Sequence, residues 1–318
     1  MKKVFALVLA LCMALSCSAV LAEDKPIVAI IQLVDHSALN DARDGFIRAL
    51  TDNGFVDGEN FVLDYQNGQG DQSNLSTIAD QFVAEKAALV LAIATPAAVT
   101  MAGKTTEIPI LGTAITDYVS ARLVESNEKP GYPCTGTSDV LDLDAQVELI
   151  QAFQPDVKSI GILYTSSEDN SVSNLKTFKE ICKAKNIEVV ASAVQNASDI
   201  PTAAEDLASK VDCINNFTDN NVVNNLSVVL SAADKYNIPV YGSEEEQVKN
   251  GCLASVSIDY VALGKVTGEM AVEALNGADT SSMAVKTISD ATPIINSTVL
   301  KKLGYTVPDS FTDVTTVD

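Results

Sequence analysis

Apolar positions recur along this chain in two rhythms: short continuous runs, and longer stretches in which they return every three or four residues. The run at 27–34 predicts a first strand, and 40–53 a helix with Phe46, Ile47 and Leu50 on one face and Gly54 beyond its end. Alternation at 61–65 predicts a second strand. Asp71 or Ser73 is placed to cap a helix running to about 87. The unbroken apolar run at 88–94 suits a strand covered on both faces; a short helix at 97–103 and a strand at 108–114 follow. The rhythm then restarts, with helices at 144–153, 171–185, 199–210, 221–236 and 261–276, and strands at 159–164, 187–193, 211–215, 239–241 and 253–257. Strand and helix in strict alternation predict right-handed crossovers and parallel sheets, an α/β chain in two similar halves. Between the halves, 127–139 is rich in Pro and Gly (Pro130-Gly131-Tyr132-Pro133) and reads as a hinge-side connection. The polar tail from about Pro308 is expected to fray.

The first residues follow another pattern. Lys2 and Lys3 precede an apolar run at 4–15, a small-residue stretch at 16–22, and then the polar Glu23-Asp24-Lys25-Pro26. This is the layout of a secretory signal peptide, and the run falls short of the roughly 20 residues a spanning helix needs. Val20-Leu21-Ala22 suits cleavage before Glu23; the alternative is lipid attachment at Cys17, after Ala14-Leu15-Ser16. The protein is therefore expected outside the cytoplasm, periplasmic or anchored at the outer face of the membrane. About 295 residues remain, enough for two domains at roughly 150 each. They carry 19 basic against 42 acidic groups, a charge near −23 once Lys2 and Lys3 are gone. So acidic a surface repels nucleic acid and anionic lipid. The apolar fraction of 47% excludes wholesale disorder. Cys134, Cys182, Cys213 and Cys252 show no C-x-x-C spacing and read as buried small side chains, with disulfides left open. His36 is the only histidine, which argues against a metal centre, and no cofactor is expected.

Ligands of parallel sheets bind beyond the carboxyl ends of the strands, so the loops after each strand carry the candidate chemistry. Those of the first half offer hydroxyls and helix starts, which suit a carboxylate. Here Thr95 with the N–H groups around Ala97 is the leading anchor, helped by Thr113 and Ala114. Those of the second half offer acids and amides, which suit an ammonium group. Asp219 leads, Glu244 is second, and Asn170 and Ser171 support them. An α-amino acid lying across the gap would satisfy both halves, and Asp219→Ala is expected to weaken its binding with the fold intact. Tyr164, Phe217 and Tyr118 are candidates to stack on its side chain, and His36 is a further contact. The plainer alternatives are helix capping for Thr95, Asp117, Ser171 and Asp219, and core packing for Tyr164. Catalysis is poorly supported: Asp117 with Asp219 has no readable separation, no G-x-S-x-G elbow occurs, and Gly68-Gln69-Gly70 opens no nucleotide fingerprint.

Several of these loops carry specific wording: Gln32-Leu33-Val34-Asp35-His36-Ser37-Ala38-Leu39, Asn67-Gly68-Gln69-Gly70-Asp71, Ile93-Ala94-Thr95-Pro96-Ala97-Ala98, Thr113-Ala114-Ile115-Thr116-Asp117, Thr135-Gly136-Thr137-Ser138-Asp139, Ser167-Glu168-Asp169-Asn170-Ser171, Thr218-Asp219-Asn220 and Asp259-Tyr260-Val261-Ala262-Leu263-Gly264. In this order the chain resembles the substrate-binding proteins of ABC transporters, in the group that includes tryptophan and other aromatic amino-acid binders. Two stretches depart from that pattern: Pro130-Gly131-Tyr132-Pro133-Cys134 lacks the usual Gly-Gly-Asn, and Phe217 stands where Pro is frequent. The resemblance implies a type I periplasmic binding-protein fold, two Rossmann-like lobes joined by three crossovers. It places 23–140 plus about 260–285 in the N-terminal lobe, and 141–259 plus about 286–318 in the C-terminal lobe. It also implies a monomer that closes on a small-molecule ligand, is recognised by an ABC permease, and is not an enzyme. An exported enzyme acting on a small polar molecule and a ligand sensor for a membrane receptor are the alternatives.

Overall fold

Branched apolar residues in unbroken runs form strands that helices cover on both faces, and the first half of the chain is built this way. The structure, a computed structural model, describes residues 25–256, 258–288, 293–311 and 314–318. The signal peptide expected at 1–22, with the alternatives at Ala22 and Cys17, lies outside these residues. Strands β1 (Ile27–Gln32), β2 (Val62–Asn67), β3 (Leu89–Ile93), β4 (Ile110–Ile115) and β5 (Cys134–Ser138) form one parallel sheet in the order β2-β1-β3-β4-β5. Helices α1 (Ser37–Asp52), α2 (Gln72–Ala84) and α3 (Thr95–Ala102) make the crossovers. Asp71 caps α2, accepting from the N–H groups of Ser73 and Asn74. Strand β5 was not expected from its sequence, Cys-Thr-Gly-Thr-Ser, which is fully buried yet mostly polar. Its hydroxyls find partners inside the lobe: Thr113, Thr137 and Thr267 form a chain at 3.1 and 2.7 Å.

The chain then crosses into a second lobe. Strands β6 (Ser159–Thr165), β7 (Glu188–Val194), β8 (Cys213–Asn215) and β9 (Val240–Tyr241) make a parallel sheet in the order β7-β6-β8-β9. Helices α4 (Leu143–Phe153), α5 (Asp169–Ala184), α6 (Ile200–Ala208), α7 (Asn220–Asn224), α8 (Leu226–Tyr236) and α9 (Glu245–Lys249) surround it. The single helix expected at 221–236 is divided at Asn225, whose side chain donates to Asn221 O at 2.8 Å. After β10 (Ala254–Val256) the chain returns as α10 (Tyr260–Leu275), packed on α1, and β11 (Lys286–Thr287) pairs with β5. The crossing back therefore falls after Thr287, slightly later than the sequence suggested. It leads to β12 (Pro293–Asn296), α11 (Ser297–Leu303) and β13 (Thr315–Val317). Strand β13 pairs with β12, so this part of the tail is a strand and does not fray.

Each lobe has its own apolar core, around Ile30, Phe46, Phe82 and Leu91 in the first and around Val147, Ile160, Ile162 and Phe178 in the second. The four cysteines of the described residues are buried free thiols. Helices α1 and α10 lie almost backbone to backbone: a Cβ on Gly264 would sit 1.8 Å from Ala42 O, and one on Gly45 2.2 Å from Val261 O. That contact fixes the N-termini of both helices, at His36 and Tyr260, against the space between the lobes.

Candidate functional site

Strand ends of both lobes converge on one small cavity of about 20 Å3, far below the ~300–1,000 Å3 typical of small-molecule sites, so a ligand enters only if the lobes part. The first lobe and its crossovers contribute His36, Ala38, Leu39, Ala114, Asp139 and Tyr260. The second contributes Thr218, Asn220, Val223, Glu244 and Gln247. Contacts across the seam hold the lobes together: His36 Nε2 lies 3.4 Å from Asn220 Oδ1, the Thr116 and Thr218 hydroxyls are 3.4 Å apart, and Ser173 Oγ donates to Asp117 Oδ2 at 3.2 Å. A wider recess of about 370 Å3 opens beside the cavity, lined by amides such as Gln69, Gln195, Asn196 and Asn224, and shares Asn220 with it.

Two buried carboxyls face the cavity, and no Lys or Arg lines it. Asp139 accepts from Tyr260 Oη at 2.6 Å and Thr116 Oγ1 at 3.1 Å; burial raises its pKa. Glu244 caps α9, accepting from the N–H groups of Glu246 at 2.6 Å and Gln247 at 2.9 Å. Burial lifts its pKa to about 7, against the pull of those two N–H groups. His36 is shifted the other way, down to about 4, because burial disfavours its cation. It precedes α1 without capping it through its side chain, so the first N–H groups of this 16-residue helix go without a side-chain cap, and two of its first residues, Ala38 and Leu39, line the cavity. The apolar part of the wall is Ala38, Leu39, Ala114, Val223 and the Tyr260 ring. Ala114 lies at φ 56°, and the equivalent Ala94 at the end of β3 at φ 78°, ψ 150°. Backbone strain of this kind, at two neighbouring strand ends, concentrates at binding sites.

Of the residues singled out in the sequence, His36, Ala114 and Glu244 line the cavity. Asp219 does not. It is fully buried and its carboxylate already accepts four hydrogen bonds: from Thr165 N at 2.6 Å, Thr165 Oγ1 at 2.8 Å, Ser171 Oγ at 2.7 Å and Val222 N at 2.9 Å. Ser171 is spent on that bond. Asn170 Nδ2 donates to Thr218 O at 3.0 Å, behind the cavity wall. The helix-capping alternative therefore describes Asp219, and Asp219→Ala would take the acceptor from these four donors. Thr95, Ala97 and Thr113 are buried within the first lobe, off the cavity. The aromatic candidates belong to cores: Phe217 packs edge-on against Phe178 at 5.4 Å, Tyr118 Oη donates to Gly112 O at 2.8 Å, and Tyr164 packs against the second core. Asp139, Tyr260, Asn220 and Gln247 were not singled out. The first three stand inside motifs quoted above; Gln247 carried no signal in the sequence. Another unforeseen residue, Glu168, is buried behind the cavity with a raised pKa, through burial and the charge of Asp219. Among the described residues no group of His, Cys, Asp and Glu is placed to hold a metal ion, and no helix is long and apolar enough to cross a membrane.

With this geometry the chain was compared with known proteins. The family profile described as ABC transporter substrate binding protein matches residues 27–316, and the chain belongs to that family. A tyrosine-binding protein of Clostridioides difficile (strain R20291) is 40% identical over 276 residues, 87% of this chain and 80% of that protein. The crystal structure of an ABC domain in complex with L-Trp from Streptococcus pneumonia superposes with TM-score 0.88 at 37% identity, covering 91% of this chain and 97% of that one. A ligand-free, open substrate-binding protein with adhesive properties from Clostridium difficile gives TM-score 0.71 at 39% identity, covering 92% and 99%. The fold is the type I periplasmic binding-protein fold. At nearly equal identity the chain superposes better on the structure solved with L-Trp than on the open, ligand-free one.

Proposed function

We propose that this chain is the exported binding component of an ABC importer and takes a zwitterionic aromatic amino acid between its lobes. The observation that carries this reading is the pair of buried carboxyls, Asp139 and Glu244, on a cavity that no Lys or Arg lines. Buried acids are costly unless paired, and an arriving ammonium group supplies the missing charge to both. The ligand carboxylate goes to the uncapped start of α1, where unpaired N–H groups and the helix dipole favour an anion. The side chain is assigned to the apolar wall of Leu39, Val223, Ala114 and Tyr260, which the lobes close over it. Relatives named for tyrosine and solved with L-Trp support the same ligand class. Ligand bridging both walls favours the closed lobes, the form a permease recognises on the outer side of the membrane. The signal-like start of the chain supports export, and the protein acts as a monomer.

Calorimetry and thermal melts with L-Tyr, L-Trp and L-Phe, beside tyramine and 3-(4-hydroxyphenyl)propionate, test this. At 100 times Kd a ligand of the folded state adds about 2.7 kcal/mol of stability. The amino acids are expected to raise Tm and the two analogues, each lacking one charged group, to fail. Recovery of the bound molecule unchanged supports a binder, and its conversion to product would indicate an enzyme. Equal binding of the analogue without the amino group would sink the role given to Asp139 and Glu244.

A further inference from the structure

A run of fixed hydrogen bonds determines which ring nitrogen of His36 carries the proton. Backbone N–H groups hold both Glu168 oxygens as acceptors, Asn220 N on Oε2 at 3.0 Å and Asn221 N on Oε1 at 3.1 Å. The Asn220 side chain turns its own nitrogen to the same Oε2, at 2.7 Å. Its Oδ1 is therefore the atom that meets His36 Nε2, 3.4 Å away. An oxygen there requires the imidazole to donate from Nε2. In a neutral ring Nδ1 is then a bare acceptor, and burial keeps this ring neutral by lowering its pKa to about 4. Nδ1 is buried and has no partner. Gln247 ends the same way: its Nε2 donates to Phe217 O at 3.3 Å, and its Oε1 is left buried and unpartnered. His36, Asn220 and Gln247 all line the cavity.

We propose that His36 Nδ1 and Gln247 Oε1 read a hydrogen-bond donor on the ligand side chain, so that the site selects an aromatic amino acid bearing a ring O–H or N–H over phenylalanine. The proposal rests on the amino-acid reading above, in which the ammonium goes to the two carboxyls and leaves these neutral acceptors for the side chain. One such donor pairs one of these acceptors or is shared between them; a ligand without it leaves both as unpaired as they already are. A site built to bond a substrate hydroxyl rejects the analogue lacking it for this reason. The expected preference for L-Tyr or L-Trp over L-Phe is about ten- to a hundredfold.

Because the chain has one histidine, imidazole 15N NMR of untagged protein reports on His36 alone, with no variant needed. The expected spectrum shows Nε2 protonated and Nδ1 bare, with the Nδ1 resonance moving toward the protonated range on addition of L-Tyr but not of L-Phe. In parallel, calorimetry on His36→Leu should collapse the Tyr-to-Phe affinity ratio toward one. A proton resident on Nδ1, equal Nδ1 shifts with both ligands, or an unchanged ratio in His36→Leu would each overturn the proposal while leaving amino-acid binding in place. No saturable binding of L-Tyr, L-Trp or L-Phe would remove the underlying reading and this one with it.

Discussion

The two lobes share a plan but treat polarity in opposite ways. In the first, the cavity wall sets His36, Asp139 and Tyr260 among small apolar side chains, a helix start and strained alanine backbone; the lobe's inner polar groups are short hydroxyl chains such as Thr113, Thr137 and Thr267. In the second, acids and amides tie three loops together, with Asp219 and Glu168 drawing Thr165, Ser171, Asn220 and Asn221 onto their oxygens. Most of the second lobe's polarity is consumed in making the wall. What the weave leaves over at the cavity is Gln247 Oε1 and the thinly supported carboxyl of Glu244, which His36 Nδ1 and Asp139 face from the first lobe.

Three changes break or sharpen this contrast. The largest effect is expected from Asp219→Ala, which strands four buried donors. At roughly 1–3 kcal/mol for each unsatisfied buried group, less what relaxation recovers, a loss of about 3–5 kcal/mol should appear in urea unfolding. A variant as stable as the parent would show that the weave is not structural. Next is Gly264→Ala in the first lobe, where the new Cβ would meet Ala42 O and push α10 off α1. A cost of about 1–3 kcal/mol is expected, with weaker ligand binding because both helix starts at the cavity shift. Unchanged affinity would mean that the helix contact does not position the site.

The smallest is a pH effect at the seam. In the folded protein burial lowers the His36 pKa from 6.5 to about 4, against the opposing influence of Asn220 and Asp35. The unfolded chain therefore takes up the proton first as pH falls. Stability is unaffected by this group above about 6.5 and is progressively lost between 6.5 and 4. The stability of His36→Leu relative to the parent should rise over that window, by at most about 1.4 kcal/mol per pH unit. Parallel pH profiles of the two proteins, followed by thermal melts, would refute burial of this ring.

The sheets were legible because strands such as Leu89–Ile93 are unbroken apolar runs, and periodicity reports burial directly. Cys134–Ser138 was illegible for the converse reason: its burial is satisfied by hydroxyl pairing, which leaves no apolar trace. The site was half legible. Loop position pointed to the strand ends that border this cavity, whose wall includes His36, Ala114 and Glu244. Composition does not reveal which polar atoms are already paired, so Asp219 outranked Asp139 in the sequence although it is the one saturated by donors. The aromatic ring on the cavity wall is Tyr260, at a helix start far along the chain, while Phe217 and Tyr118 were absorbed by cores.

The close seating of α10 on α1 bears on how the protein is made. A nascent chain of 250 residues already contains every strand of the first sheet except the short β11, yet lacks the helix that covers Ala42 and Phe46. Until residue 275 leaves the ribosome that surface stays bare, and the lobe synthesised first is among the last to be finished.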